Sequence, residues 1–300
     1  MNWRRAILLF SALGAVGLGC RHTPTPETWR PHESLITILA EMELHRKEDF
    51  YRFGYPRDVT DQNVFRATLV RIANWERQWP GQWKDIVAFS KALAFASLGE
   101  FDAAESLFED VASMETDLSA KAEEHRAVMA DLAALDAIEP EGETVEQLLA
   151  AAGRRVERWR REAAARFETE WGPVTMVAWE EAEMQQVQLV GMFRHLLEDG
   201  DAQCRAACEA LIENHAGSHR ENQHWLRLGD FHRELAERLV VFSPPARTDF
   251  DLDGFEAQIS AARAIYLRVE RADGFRERLE ARARLAALEE FAQRVRAEAR

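Results

Sequence analysis

The sequence predicts an all-α fold built from antiparallel helix pairs, and three observations carry that prediction. Apolar residues recur at three- and four-residue steps along the chain. Ala, Leu, Glu and Arg dominate while Val, Ile and Tyr are sparse, and no alternating Val/Ile-rich run occurs. Breaks at Gly99, Pro140 to Gly142, Gly172-Pro173 and Gly200 cut the periodic stretches into pieces of helix length. With 300 residues, 47% of them apolar, the chain can bury a sizeable core in one extended domain or two compact ones.

Residues 1–19 stand outside that fold. Arg4 and Arg5 precede an apolar run from Ala6 to Gly19, too short to span a bilayer and of the size of a secretory signal. Gly19-Cys20 follows, and the segment resembles a bacterial lipoprotein signal, in which the Cys becomes the acylated first residue of the mature chain. The competing reading is ordinary cleavage after Ala15-Val16-Gly17, leaving Cys20 as a free thiol; export is expected either way. The resemblance implies attachment at Cys20, and Arg21 after it implies the outer membrane, facing the periplasm. Residues 20–32, with Pro24, Pro26 and Pro31, are expected to form a tether.

The folded part is expected in two portions, residues 33–171 and 172–300, with a soft boundary at Gly172-Pro173. Glu33 to Lys47 predicts a first helix burying Leu35, Ile36, Ile38, Leu39, Met42 and Leu44. Asp49 to Asp61 then gathers Phe50, Tyr51, Phe53 and Tyr55 with Arg52 and Arg57. Aromatics with Arg are what interface hot spots use, so Tyr51, Arg52, Phe53 and Tyr55 are candidate partner-binding residues. Covering the open end of the first helix pair is the competing role. Thr60 or Asp61 is expected to cap a helix carrying Val64, Phe65, Leu69, Ile72 and Trp75, which Pro80-Gly81 ends.

From Asp85 to Ala112 the pattern is a helical hairpin. Ile86, Phe89, Leu93 and Ala96 form one stripe and Phe101, Ala104, Phe108 and Val111 the next, with Gly99 ending the first helix. Asp102 puts an anion in the first turn of the second. Ala92 and Ala104 are small enough for close helix approach. Asp117 to Ile138 and Thr144 to Trp171 are expected to pair with one another, Thr144 and Gln147 reading as a capping box. Arg154, Arg155, Arg158, Arg160 and Arg161 alternate with Glu157 and Glu162, which predicts a solvated, salt-bridged face. Val174 to Asp199 and Asp201 to His215 form a further pair across Gly200, and Phe275 to Arg300 a last, capping helix.

Two stretches resemble the tetratricopeptide repeat. Ala92-x-x-Phe95 and Ala104-x-x-x-Phe108 stand at that family's G-x-x-Y and A-x-x-x-F positions. Trp225-x-x-Leu228-Gly229 opens a second copy, with His232 in place of its aromatic, and Ala262-x-x-x-Tyr266 supplies the partner helix. Gly229 and Ala262 are 33 positions apart instead of the family's twelve, and Phe242 to Gly254 is expected to hold the difference as a long inter-helix loop. The resemblance implies an α-solenoid of antiparallel helix pairs whose groove receives a protein or peptide partner, with these residues as packing positions.

Removing residues 1–19 takes away two Arg and leaves 36 basic against 52 acidic side chains, a formal charge of −16. Nucleic acid and anionic lipid surfaces are therefore poor partners, and a basic one is favoured. Besides Cys20 the chain holds only Cys204 and Cys208, so packing and not a disulfide framework must hold it together. Those two are expected to be small buried residues.

No metalloprotease, nucleophile-elbow, P-loop or C-x-x-C signature occurs, which argues for a non-enzymatic scaffold without a cofactor. Asp249, Asp251, Asp253 and Gly254 spell the opening of a calcium loop, but the twelfth position is Ser260 instead of Glu, and helix capping is the simpler role. His215, His219 and His224, with Glu213 and Glu221, are the alternative site, for a hydrolase or metal-dependent enzyme. Gly217-Ser218 interrupts their helical spacing and favours polar histidines flanking a turn.

Overall fold

The computed structural model describes residues 31–54, 57 and 62–299. The expected export signal, Cys20, nearly all of the expected tether, Tyr55, Thr60 and Asp61 lie outside the described residues. Among the described residues there are twelve α-helices and no strand. They are α1 Pro31–Arg46, α2 Phe50–Phe53, α3 Val64–Gln78, α4 Lys84–Ser97, α5 Phe101–Ala112 and α6 Ser119–Asp136. Then come α7 Val145–Arg166, α8 Gly172–Phe193, α9 Gly200–Asn214, α10 Glu221–Phe242, α11 Leu252–Arg271 and α12 Phe275–Glu298. A 3₁₀ turn, Arg194–Leu196, separates α8 from α9.

The helix ends have chemical causes. Asn63 caps α3, its side-chain oxygen accepting from the Phe65 N–H at 2.9 Å. At the end of α4, Gly99 sits at φ +76°, its N–H donates to the Ala96 carbonyl, and the Glu100 N–H donates to the Phe95 carbonyl. Those two bonds satisfy carbonyls that the helix would otherwise leave open. Thr144 caps α7 by accepting from Gln147 N–H, while the Gln147 side chain accepts from Glu143 N–H at 3.0 Å, one residue before the expected donor. Asp251 caps α11 through Gly254 N–H at 2.8 Å.

Each helix buries a stripe, and the stripe is narrower than the apolar count of α1 suggests. Leu35, Ile38 and Met42 are buried, but Ile36 and Leu44 are exposed, contrary to expectation. One residue is a rotation of about 100°, so Ile36 beside buried Leu35 points away from the α3 and α4 neighbours.

Pairing departs from expectation in the middle of the chain. α6 packs on α5, and α7 packs on α8, while α6 and α7 touch only slightly. Ala122, Met129 and Leu132 of α6 share a core with Phe89 and Phe108, and Trp159 of α7 lies 6.0 Å from Phe101, ring centre to ring centre. Periodicity fixed which face of each helix is apolar, and the segment 137–144 directs α7 to a different neighbour. Nor is Gly172-Pro173 a gap in packing: Trp171 and Val174 belong to the same core as Phe89 and Phe108. Pro173 opens α8, where its missing N–H costs nothing.

The long span between Gly229 and Ala262 is mostly helix. α10 runs ten residues past His232, and α11 begins ten residues before Ala262, leaving residues 243–251 as the connection. Near-equal lengthening of two antiparallel helices keeps their register, so the expected long loop is replaced by a longer hairpin. Farther on, α9 joins α8 to α10, and α11 packs between α10 and α12.

Candidate functional site

The packing leaves open a groove of about 610 Å³ lined by α8, α10 and α12, with α9 at its floor. Three alternate helices share it because each intervening helix packs behind its neighbours. Val187, Leu226 and Phe231 give it an apolar base. Its rim is charged and largely paired. Arg194 meets Glu234 at 2.9 Å, Arg276 meets Glu280 at 3.2 Å, and Arg284 meets Asp230 at 3.4 Å. Arg227 lines the same wall. Exchangeable ion pairs around an apolar floor suit an extended or helical peptide carrying both charges.

Cys204 and Cys208 face this groove from α9 and are free thiols, both buried. The hydrogen bond from the Cys208 thiol, helped by the Arg194 guanidinium, lowers the Cys204 thiol to about 7; the same bond, with burial, pushes Cys208 up.

The residues expected at packing positions lie in helix contacts. Ala92 and Ala104 are fully buried between α4 and α5, Phe108 packs edge-on against Phe89 at 5.3 Å, and Phe95 is partly buried. In the second hairpin a side chain on Gly229 would place Cβ 2.5 Å from the Tyr266 ring, so α10 and α11 approach as closely as glycine allows. Tyr266 and Ala262 are fully buried, and the Tyr266 hydroxyl donates to Asp230 at 2.7 Å. Burial, then that carboxylate, drives the phenol pKa upward. Leu228 is buried, and Trp225 carries the Arg268 guanidinium 4.0 Å above its ring.

The histidine cluster is not the turn-flanking polar surface the sequence suggested. His215 and His224 are buried, and their partners are Glu183 and Glu180 of α8 instead of Glu213 and Glu221. His215 Nε2 lies 3.0 Å from Glu183, which also accepts from Asn214, and His224 Nε2 lies 2.8 Å from Glu180, which also accepts from the Ser218 hydroxyl. Burial would raise the Glu180 carboxyl, but the bonds from His224 and Ser218 and the field of both histidines outweigh it and hold it below its ordinary value. Trp179 covers His215 at 4.5 Å between ring centres. None of these three histidines lines the groove.

Tyr51 closes this network from the other end of the chain. Its hydroxyl meets His215 Nδ1 at 2.9 Å, and its carbonyl accepts from both His219 Nδ1 and the His219 backbone N–H at 2.9 Å. Tyr51 is therefore an internal tie and not an exposed hot spot, and its own pKa rises through burial and then the nearby Glu180. Of its neighbours, Phe50 packs against Phe65, Arg52 pairs with Asp49 at 3.4 Å, and Phe53 stays 84% exposed.

The remaining candidates separate. Asp249 accepts from Nε and Nη2 of Arg247 at 2.9 Å, Asp251 forms the cap, and Asp253 lies in the first turn of α11. Among the described residues no three His, Cys, Asp or Glu side chains are grouped to hold a metal ion. Of the arginines on α7, Arg160 and Arg161 pair with Glu157 in solvent as expected. Arg155 is buried instead, bonded to Gln185 at 2.8 Å and Asp136 at 3.0 Å. Sequence reasoning passed over Glu180 and Glu183; their signal was two carboxylates three apart on the helix, interleaved with Ala182 and Val187 that face the core. Among the described residues no helix is long and apolar enough to cross a membrane. No protein-family model matches the chain, and no curated protein matches it.

Proposed function

We propose that this protein is a non-enzymatic binding scaffold, a solenoid of helix pairs related to tetratricopeptide repeats, that receives a peptide or helix of a partner protein in the α8–α10–α12 groove. The observation that carries this reading is the sharing of one concavity by three alternate helices. Stacked antiparallel helices produce that arrangement, because alternate helices fall on the same side. The close Gly229–Tyr266 contact at the matching repeat positions supports it.

We further propose attachment to the bacterial outer membrane through acylated Cys20, with the scaffold facing the periplasm and working in cell-envelope assembly. An anchor would raise the local concentration of groove and partner without any new contact. Two or more acyl chains would make it stable, since each buried methylene contributes about 0.8 kcal/mol.

The test is crosslinking in cells from a photoreactive residue at Gln188, an exposed position of the groove. A discrete protein adduct is expected there and not from the same residue at Phe242, which lies on the distant hairpin tip. A tagged Gln188→Trp protein, with its groove filled, should lose the partner in pull-down. Equal adducts at both positions, or retention by Gln188→Trp, would remove the groove from the account. Cys20→Ser should move the protein to soluble fractions; persistent membrane association would refute the anchor.

A further inference from the structure

Cys204 and Cys208 stand one turn apart on α9 and line the same groove. A soft ion needs two thiolates on one side of a helix, and an i, i+4 pair supplies them. No third His, Cys, Asp or Glu is grouped with them, which disfavours tetrahedral zinc and leaves low-coordinate, soft-ion chemistry.

Their surroundings fit that chemistry. Gly191 of α8 faces Cys204, where even an added Cβ would come only to 3.7 Å from the sulfur, so no side chain from that position covers it. Val187, Leu228 and Phe231 pack around the pair. The groove gives an approach from solvent.

We propose that Cys204 and Cys208 form a two-coordinate binding site for a soft monovalent d¹⁰ cation, Cu(I). Binding converts two thiols and Cu(I) into a bis-thiolate complex of charge −1 with release of two protons, and no electron is exchanged. Arg194, which lines the groove with Cys204, supplies positive charge beside the pair.

The test is anaerobic titration of the full chain with Cu(I) against a colorimetric Cu(I) chelator, with Cys20→Ser in every sample so that only these two thiols compete. One equivalent of Cu(I) should be held and two protons released. Cys204→Ser combined with Cys208→Ser should hold none. Gly191→Leu keeps both sulfurs but fills the space above Cys204, and it should weaken binding at least tenfold with an unchanged melting profile. Cu(I) held equally by the double variant, or no Cu(I) held by the parent, would overturn the site.

Discussion

In the α4–α5 hairpin the glycine sits in the turn, and in the α10–α11 hairpin it sits in the helix contact. Gly99 has a left-handed backbone and nothing within 4 Å of where a side chain would start. Gly229 is helical, and a Cβ there would meet the Tyr266 ring at 2.5 Å. The first hairpin needs glycine for conformation and brings its helices together with Ala92 and Ala104; the second needs it for space. Between them, buried carboxylate–imidazole pairs tie α8 to His215 at the end of α9 and to His224 of α10. Apolar contacts tolerate repacking, whereas a buried charge stripped of its partner does not.

Breaking that polar seam should have the largest effect. Glu180→Ala strips His224 and Ser218 of their shared acceptor and should cost about 3–5 kcal/mol in denaturant unfolding, more than any single change in either hairpin. Its pH dependence has a definite sign. Because the folded carboxyl lies below its ordinary value, the unfolded chain takes up the proton first as pH falls. The stabilisation is complete above the unfolded value of about 4.3 and is lost as pH drops through the folded one. Glu180→Gln should flatten that acid limb, and an unchanged limb would remove Glu180 from it.

Overpacking comes next. Gly229→Val should cost about 1–3 kcal/mol or more, and replacing Tyr266 by Leu in the same chain should recover part of it. Ala104→Trp should cost about as much in the first hairpin, and an unchanged melting temperature would argue against that helix contact. Tyr51→Phe leaves His215 without its hydroxyl partner and should cost about 1–3 kcal/mol, with faster amide exchange at His219. The smallest effect is expected of Gly99→Ala, about 1 kcal/mol from left-handed backbone alone. No second-site change should rescue it, which separates the two glycine roles.

The local half of this structure was legible. The stripes of α4 and α5, the Gly99 turn, the Thr144 cap on Gln147 and the close approach at Gly229 all follow from residues a few positions apart or from one small residue on a helix face. The candidate sites were less so. Tyr51 reads as an exposed aromatic beside Arg52, yet its partners His215 and His219 are 164 and 168 positions away. The two cysteines were visible as a helical pair, but the groove in front of them needs α8, α10 and α12 together.

By itself the sequence determined that the chain is helical, where most helices turn, and which side of each is apolar. Those properties depend on backbone sterics and a 3.6-residue period within single segments. The tertiary structure decided that α6 joins α5 and α7 joins α8, that Glu180 and Glu183 face inward, and that helix fills most of the span between Gly229 and Ala262. An apolar stripe gains nearly the same free energy against any apolar neighbour, so the choice among neighbours rests on shape and polar satisfaction summed over distant segments.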